Sequence, residues 1–189
     1  TALGDSSLSA NTTASNNTAV GQAALAANTT GGENTALGKD AGAGCTTGAS
    51  NVALGFRSLY TSNSASKNVA IGDSALRAFS GSGDGNNTAV GHSALTANTT
   101  GAQMTALGTL ALAASTTAVG CTALGFRSLN DNTTGDWNIG VGYDALGVNT
   151  TGTNNTAVGT FALDASTTAS NNTAVGYNSL TANTTGADN

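Results

Sequence analysis

A glycine preceded by an aliphatic residue recurs at positions 4, 21, 38, 55, 72, 91, 108, 125, 142, 159 and 176. Successive members of this series are spaced by seventeen, except for one spacing of nineteen between Gly72 and Gly91. The 189-residue chain is therefore eleven units, ten of the shorter length and one of the longer. So short and regular a period restricts the fold to a repeat architecture in which each unit packs on its neighbours. From Thr1 the unit reads Thr-Ala-Leu-Gly-Asp-Ser-Ser-Leu-Ser-Ala-Asn-Thr-Thr-Ala-Ser-Asn-Asn, numbered here as slots 1 to 17.

Two slots carry the large apolar side chains. Slot 3 is aliphatic in every unit: Leu3, Val20, Leu37, Leu54, Ile71, Val90, Leu107, Leu124, Val141, Val158 and Val175. Slot 8 is leucine in ten: Leu8, Leu25, Leu59, Leu76, Leu95, Leu112, Leu129, Leu146, Leu163 and Leu180, with Gly42 the exception. These two columns are the expected core stack. Slot 4 is always glycine and slot 7 always alanine or serine, while slot 17 is asparagine except at Met104 and Cys121. Asn-Thr-Thr at slots 11 to 13 is intact in six units.

A unit of this length is too short for a pair of packed helices and carries no heptad. Alternation over slots 1 to 3 predicts a strand. The glycine then permits a turn, Ala/Ser-Leu opens a second short strand, and Asn-Thr-Thr supplies the return turn. The sequence thus predicts one all-β domain over residues 1–189, a parallel β-solenoid or β-roll. Coils stacked ~4.8 Å apart make a rod roughly 50 Å long. The two extra residues of the fifth unit fall in Ser80-Gly81-Ser82-Gly83-Asp84-Gly85-Asn86, a loop-like stretch.

Composition bears on how such a rod is stabilised. Glycine, threonine and asparagine together supply more than two-fifths of the chain, while Leu, Ile, Val and Phe together supply less than one-fifth. That places the large apolar residues under the ~20% at which chains begin to look disordered. The net charge of −5, however, lacks the strong charge of a disordered chain. Two large side chains per coil still make a thin core. Slot 2 is alanine in ten units and Gly140 in the other, and slot 7 never exceeds serine. With slots 3 and 8 inward, alternation places slots 2 and 7 outward. An outer face of such small residues predicts close approach of another copy of the chain.

Other classes drop out. No apolar run approaches the ~18 residues of a membrane span, and no segment resembles a signal peptide, so no membrane insertion is expected. Five scattered cations give no footprint for nucleic acid. With Thr1 in place of Met, an excerpt or a processed product is expected. The pattern runs from Asn189 back to Thr1 without a break, which predicts a longer array or end-to-end stacking.

The core motif, as in Asn68-Val69-Ala70-Ile71-Gly72-Asp73-Ser74-Ala75-Leu76, resembles the head repeats of trimeric autotransporter adhesins of the YadA type. It is similar, too, to repeats of bacterial and phage fibre proteins. The resemblance covers all eleven units. It implies a left-handed parallel β-roll, three parallel chains per fibre, and a cell-surface, extracellular or virion location. It also implies a non-enzymatic role in adhesion, with surface glycans or a host receptor as partners besides copies of the chain. The adhesin repeat is shorter, and the Asn-Thr-Thr turn accounts for the extra length here.

Reactive chemistry is sparse. His92, the only histidine, stands at slot 5, a variable turn position, and no Ser-His-Asp arrangement can be argued. The acids form no column, so neither an enzyme site nor a metal or cofactor site is expected. Cys45 and Cys121 lie four coils apart, ~19 Å of rise, beyond the ~7 Å limit for a disulfide. They read as packed free thiols. Asp84-Gly85-Asn86-Asn87 hints at calcium binding but occurs once and reads as a turn.

Two groups remain as candidate sites. Phe56, Phe126, Tyr143 and Tyr177 share slot 5, with Arg57 and Arg127 beside the two phenylalanines, as a contact surface between chains or for sugar stacking. Asn-x-Thr sequons at slot 11, on Asn11, Asn28, Asn98, Asn132, Asn149 and Asn183, would align a row of glycans along one edge. Further sequons fall on Asn16, Asn86, Asn154 and Asn171. The leading expectation is an extracellular fibre or adhesin-head segment, with a phage tail-fibre shaft bearing a glycan-binding surface as an alternative. An ice-binding solenoid using the threonines of slots 12 and 13 is the rival, although the fourth and fifth coils lack that pair.

Overall fold

A computed structural model describes residues 1–189. The chain is an all-β solenoid without a helix. Each coil contributes one short strand: β1 Ala2–Leu3, β2 Thr18–Val20, β3 Thr35–Leu37, β4 Val52–Leu54, β6 Val69–Ile71, β8 Thr88–Val90, β9 Thr105–Leu107, β10 Thr122–Leu124, β11 Ile139–Val141, β12 Thr156–Val158 and β13 Thr173–Val175. These pair in parallel, in coil order, as one eleven-stranded sheet. Register follows the slots: Thr18, Ala19 and Val20 face Thr35, Ala36 and Leu37. The extra residues of the fifth coil do not form a plain loop. They place β7, Ser82–Asp84, in parallel pairing with β5, Ser64–Ser66, as a second small sheet.

The expected second strand at slots 7 and 8 is instead a run of turns. Slots 6, 8 and 16 are left-handed in every coil, with φ of 49° to 63° at the non-glycine residues. Leucine holds that conformation at slot 8 in ten coils, at about 1–2 kcal/mol each. Hydrogen bonds between coils offset the strain. Ala23 N donates to Asp5 O at 2.9 Å, Leu25 N to Ala41 O at 3.0 Å and Glu33 N to Ser15 O at 3.1 Å. Of 119 backbone hydrogen bonds only 20 lie within strands, so the ladder between coils continues around the whole perimeter.

Slot 4 needs glycine for two reasons. Its φ lies between 126° and 144°, outside the range of other L-residues. It also abuts the next coil: a Cβ on Gly72 would sit 2.6 Å from Gly91 O, and one on Gly38 2.8 Å from the Gly55 backbone.

The interior differs from the expected one. Slot 2 points inward: Ala19, Ala36, Ala53, Ala70, Ala89, Ala106, Ala123, Gly140, Ala157 and Ala174 are buried. Slot 3, on the opposite face of the strand, points outward. Leu3, Leu37, Ile71, Leu107, Leu124 and Val175 are exposed, Leu3 by 67% and Val175 by 70%. Val20, Leu54, Val90, Val141 and Val158 are half-buried. Half of the expected core stack is therefore outside. Slot 8 does fill the core, from Leu25 to Leu163; Leu8 is only partly buried and Leu180, on the last coil, is exposed. Slot 7 is buried beside it from Ala24 to Ala162, because two left-handed residues flank it and strand alternation does not apply. Small residues at slots 2 and 7 thus fit a narrow interior and do not mark an outer contact face.

Asparagine columns complete the interior. At slot 17 each side chain bridges neighbouring coils: Asn34 N donates to Asn17 Oδ1 at 2.8 Å, and Asn17 Nδ2 donates to Gly31 O at 2.8 Å. At slot 11, Asn28 Nδ2 donates to the same Gly31 O at 3.0 Å. One carbonyl of slot 14 therefore serves two columns. Where Cys121 replaces asparagine at slot 17, its thiol points to Gly135 O at 3.2 Å, the equivalent acceptor.

Candidate interaction surface

The outward face of the large sheet is built from slots 1 and 3. Slot 1 holds threonine, with Val52, Val69 and Ile139 in three coils, and slot 3 is aliphatic throughout. Neither column contains a charged residue. Parallel register stacks the slot 3 side chains on one another, Leu37 against Leu54 and Leu54 against Ile71. Eleven strands at ~4.8 Å give a stripe roughly 50 Å long and, at two columns wide, roughly 600 Å². The slot 3 half of the stripe, roughly 300 Å², is aliphatic and lies within the range of the largest apolar patch on a lone soluble chain. With the mostly threonine column of slot 1, the whole uncharged stripe approaches the ~800 Å² that one partner contributes to a standard interface.

Just past the glycine turn, the slot 5 aromatics are exposed. In the C-terminal half they form a continuous ladder. Phe126 and Tyr143 stack with ring centroids 5.3 Å apart and planes 18° from parallel. Phe161, at slot 6, continues it edge-on, 5.3 Å from Tyr143 and 6.5 Å from Tyr177. The stack takes up one face each of Phe126 and Tyr143. Phe161 escaped the sequence reading because it sits one slot away from the others. Arg127 Nε lies 3.3 Å from Asp144 Oδ1 on the next coil. Phe56 and Arg57 are four coils from this ladder. There Arg57 pairs with Asp40 of the preceding coil at 3.6 Å and lies over the rings of Phe56 and Tyr60, at 4.9 and 5.6 Å. The six candidate contact residues therefore form two separate clusters.

Burial closes four of the six slot 11 positions to the expected glycan row. Asn28, Asn98, Asn132 and Asn149 have no solvent exposure, and their amide nitrogens donate to Gly31, Gly101, Gly135 and Gly152. Asn183 makes the same bond to Gly186, and Asn11 the matching bond to Ala14, on the outermost coils. These nitrogens hold the return turn. The exposed sequon asparagines are Asn11, on the first coil, and those of slot 16: Asn16, Asn86, Asn154 and Asn171.

His92 is exposed on its turn. Both cysteines are free and buried. Burial pushes the Cys45 thiol up to about 11, against a smaller opposing hydrogen bond with Ser62. Cys121 also rises to about 11, chiefly by burial with Asp136 adding to it, against the amides of Asn138 and Trp137. Neither is a nucleophile at neutral pH. No group of three His, Cys, Asp or Glu is placed to hold a metal ion, and no helix is long and apolar enough to cross a membrane. Asp84, from the calcium-like segment, pairs with Lys67 at 2.6 Å. No family model, curated protein or solved structure matches the chain.

Proposed function

We propose that this solenoid is a structural, non-enzymatic segment of an extracellular fibre or adhesin head, assembled side by side with copies of itself. The observation that carries this reading is the uncharged slot 3 stripe running the length of the rod. Apposing it with another copy removes aliphatic surface from water at about 25 cal/mol per Å² and desolvates no charge. The small residues of slots 2 and 7, which lie inside, play no part in this contact. Three chains per assembly and the location outside the cell follow the resemblance to adhesin heads.

The rival ice-binding reading is weakened by the fate of the slot 12 hydroxyls. Thr12, Thr29, Thr46, Thr99, Thr116, Thr133 and Thr150 each donate to a carbonyl of the next coil at 2.7–3.1 Å, so that the slot 12 threonines are free only at Thr167 and Thr184 on the last two coils.

Light scattering on the purified 18.1 kDa chain, with electron microscopy of the same sample, tests the proposal. The expected species is a bundle with three times the mass of the single chain, or a filament. Leu107→Glu with Leu124→Glu is expected to release single chains with an unchanged circular dichroism spectrum. A wild-type chain that stays at 18.1 kDa at high micromolar concentration overturns it.

A further inference from the structure

The repeat dictates most surface positions, so the places where it is broken stand out. Departures concentrate in coils three to five, residues 35–87. There slot 8 loses its leucine at Gly42, slot 11 changes to Cys45, Phe79 and a serine, Ser62, that recurs at Ser115 and Ser166, and the longest unit occurs. Four of the five basic residues, Lys39, Arg57, Lys67 and Arg77, also fall in this stretch, with only Asp40, Asp73 and Asp84 against them. Residues 35–87 therefore carry +1, while the rest of the chain, with Arg127 against seven acids, carries −6.

Slot 9 brings this charge to one place. The column reads Ala43, Tyr60, Arg77 over coils three to five. Arg57 lies over one face of the Tyr60 ring, at 5.6 Å, so the opposite face is the one a ligand would meet. Two grooves meet at this ring. One, of about 240 Å³, runs between Tyr60, Arg57 and Arg77. The other, of about 420 Å³, lies over Ala43 and Gly44 and is bordered by Asn63 and Ser80. Both include Tyr60 and Thr61.

The hydrogen-bonding capacity of the walls is largely unspent. Arg77 makes no ion pair, and Arg57 meets Asp40 only through Nε, leaving its terminal nitrogens free. Asn63 and Ser80 are exposed, with side chains that bond to nothing in the chain. Thr61 is spent, because its hydroxyl donates to Arg77 O at 3.0 Å. An aromatic platform, two guanidiniums and free amide and hydroxyl groups are the complement of a sugar that bears an anionic group. The C–H face of a pyranose stacks on tyrosine, while a carboxylate or sulfate engages an arginine fork.

We propose that the groove around Tyr60 binds an acidic saccharide, its anionic group on Arg57 and Arg77 and its hydroxyls on Asn63 and Ser80. The site does not depend on lateral assembly. Calorimetry and saturation-transfer NMR on the full chain test it, using an oligouronate, a sulfated oligosaccharide and the neutral counterpart of each. The expected result is saturable binding of an acidic probe that weakens as salt rises from 50 to 500 mM, with the neutral counterpart at least tenfold weaker. The probe that binds more tightly identifies the anion. Arg77→Gln is expected to weaken binding tenfold or more and Tyr60→Ala to abolish it, both with parental melting curves. Arg127→Gln, in the other cluster, is expected to leave binding unchanged. Absence of saturable binding by either acidic probe overturns the proposal. Equal binding of the neutral counterpart overturns it too, as does an Arg127→Gln loss equal to that of Arg77→Gln, which would indicate a diffuse field instead of a groove.

Discussion

Asn155→Ala is the sharpest test of what holds the coils together. The Asn155 side chain donates from Nδ2 to Ala169 O at 2.8 Å and to Asn138 Oδ1 at 3.1 Å. Its Oδ1 accepts from Asn172 N at 3.0 Å and Asn172 Nδ2 at 3.2 Å. Truncation leaves the Ala169 carbonyl and the Asn172 amide without these partners, both in the buried interior. Asn138 Oδ1 keeps the Asn155 backbone amide, and Asn172 Nδ2 keeps Gly186 O, so those losses are smaller. Two orphaned buried groups at about 1–3 kcal/mol each, with the two lesser bonds, give a destabilisation of about 3–5 kcal/mol. Urea unfolding followed by circular dichroism measures it. Hydrogen exchange locates it, with protection expected to fall first in coils nine to eleven because coils couple to nearest neighbours. Thr151→Ala, exposed and without a side-chain hydrogen bond, is the control and is expected to stay within about 0.5 kcal/mol. A loss below about 1 kcal/mol for Asn155→Ala would refute the claim that the asparagine column, and not apolar burial alone, joins the coils.

The inverted strand face makes a paired prediction. Leu112→Ala, in the core, is expected to cost about 2–5 kcal/mol. Leu107→Ala, on the outer stripe, should change single-chain stability by under about 0.5 kcal/mol; denaturation in dilute solution separates the two. The thiols add a pH dependence. Because folding raises both from 9.0 to about 11, they favour the folded chain fully below pH 9, and that contribution is lost as pH climbs through 11. Each full loss is worth about 2–3 kcal/mol. Urea midpoints read between pH 8 and 11 should fall, and Cys45→Ala should flatten the slope.

Period, coil number and the slot 8 core are readable from Gly4 and Leu8 onward because each recurs at a fixed interval. The phase of the strand is not fixed in that way. Alternation has two solutions of equal fit, and hydrophobicity selects the wrong one when the outer face is itself apolar, as with Leu37 and Leu107. The size of Ala36 and Ala106, and their common parity with Asn34 and Met104 two residues earlier, carries the correct answer. A cramped interior tolerates only methyl groups there. Left-handed backbone at Arg57, Leu59 and Phe161 is invisible locally, since none of these residues favours it. Arg57 drew notice because the heptapeptide of residues 53–59 recurs at 123–129. Tyr60 and Arg77 did not, because a full repeat separates them and they meet only when slots are read as columns.

The perimeter ladder also makes length an independent variable. Each coil bonds only to the coil above and the coil below, through slots common to all, so a segment encoding one unit could be gained or lost without altering any other cross-section. Recombination between near-identical repeats would then act as a ruler with a ~4.8 Å graduation. The reach of the rod could change between generations, while the Tyr60 groove, seated in the irregular coils, kept its shape.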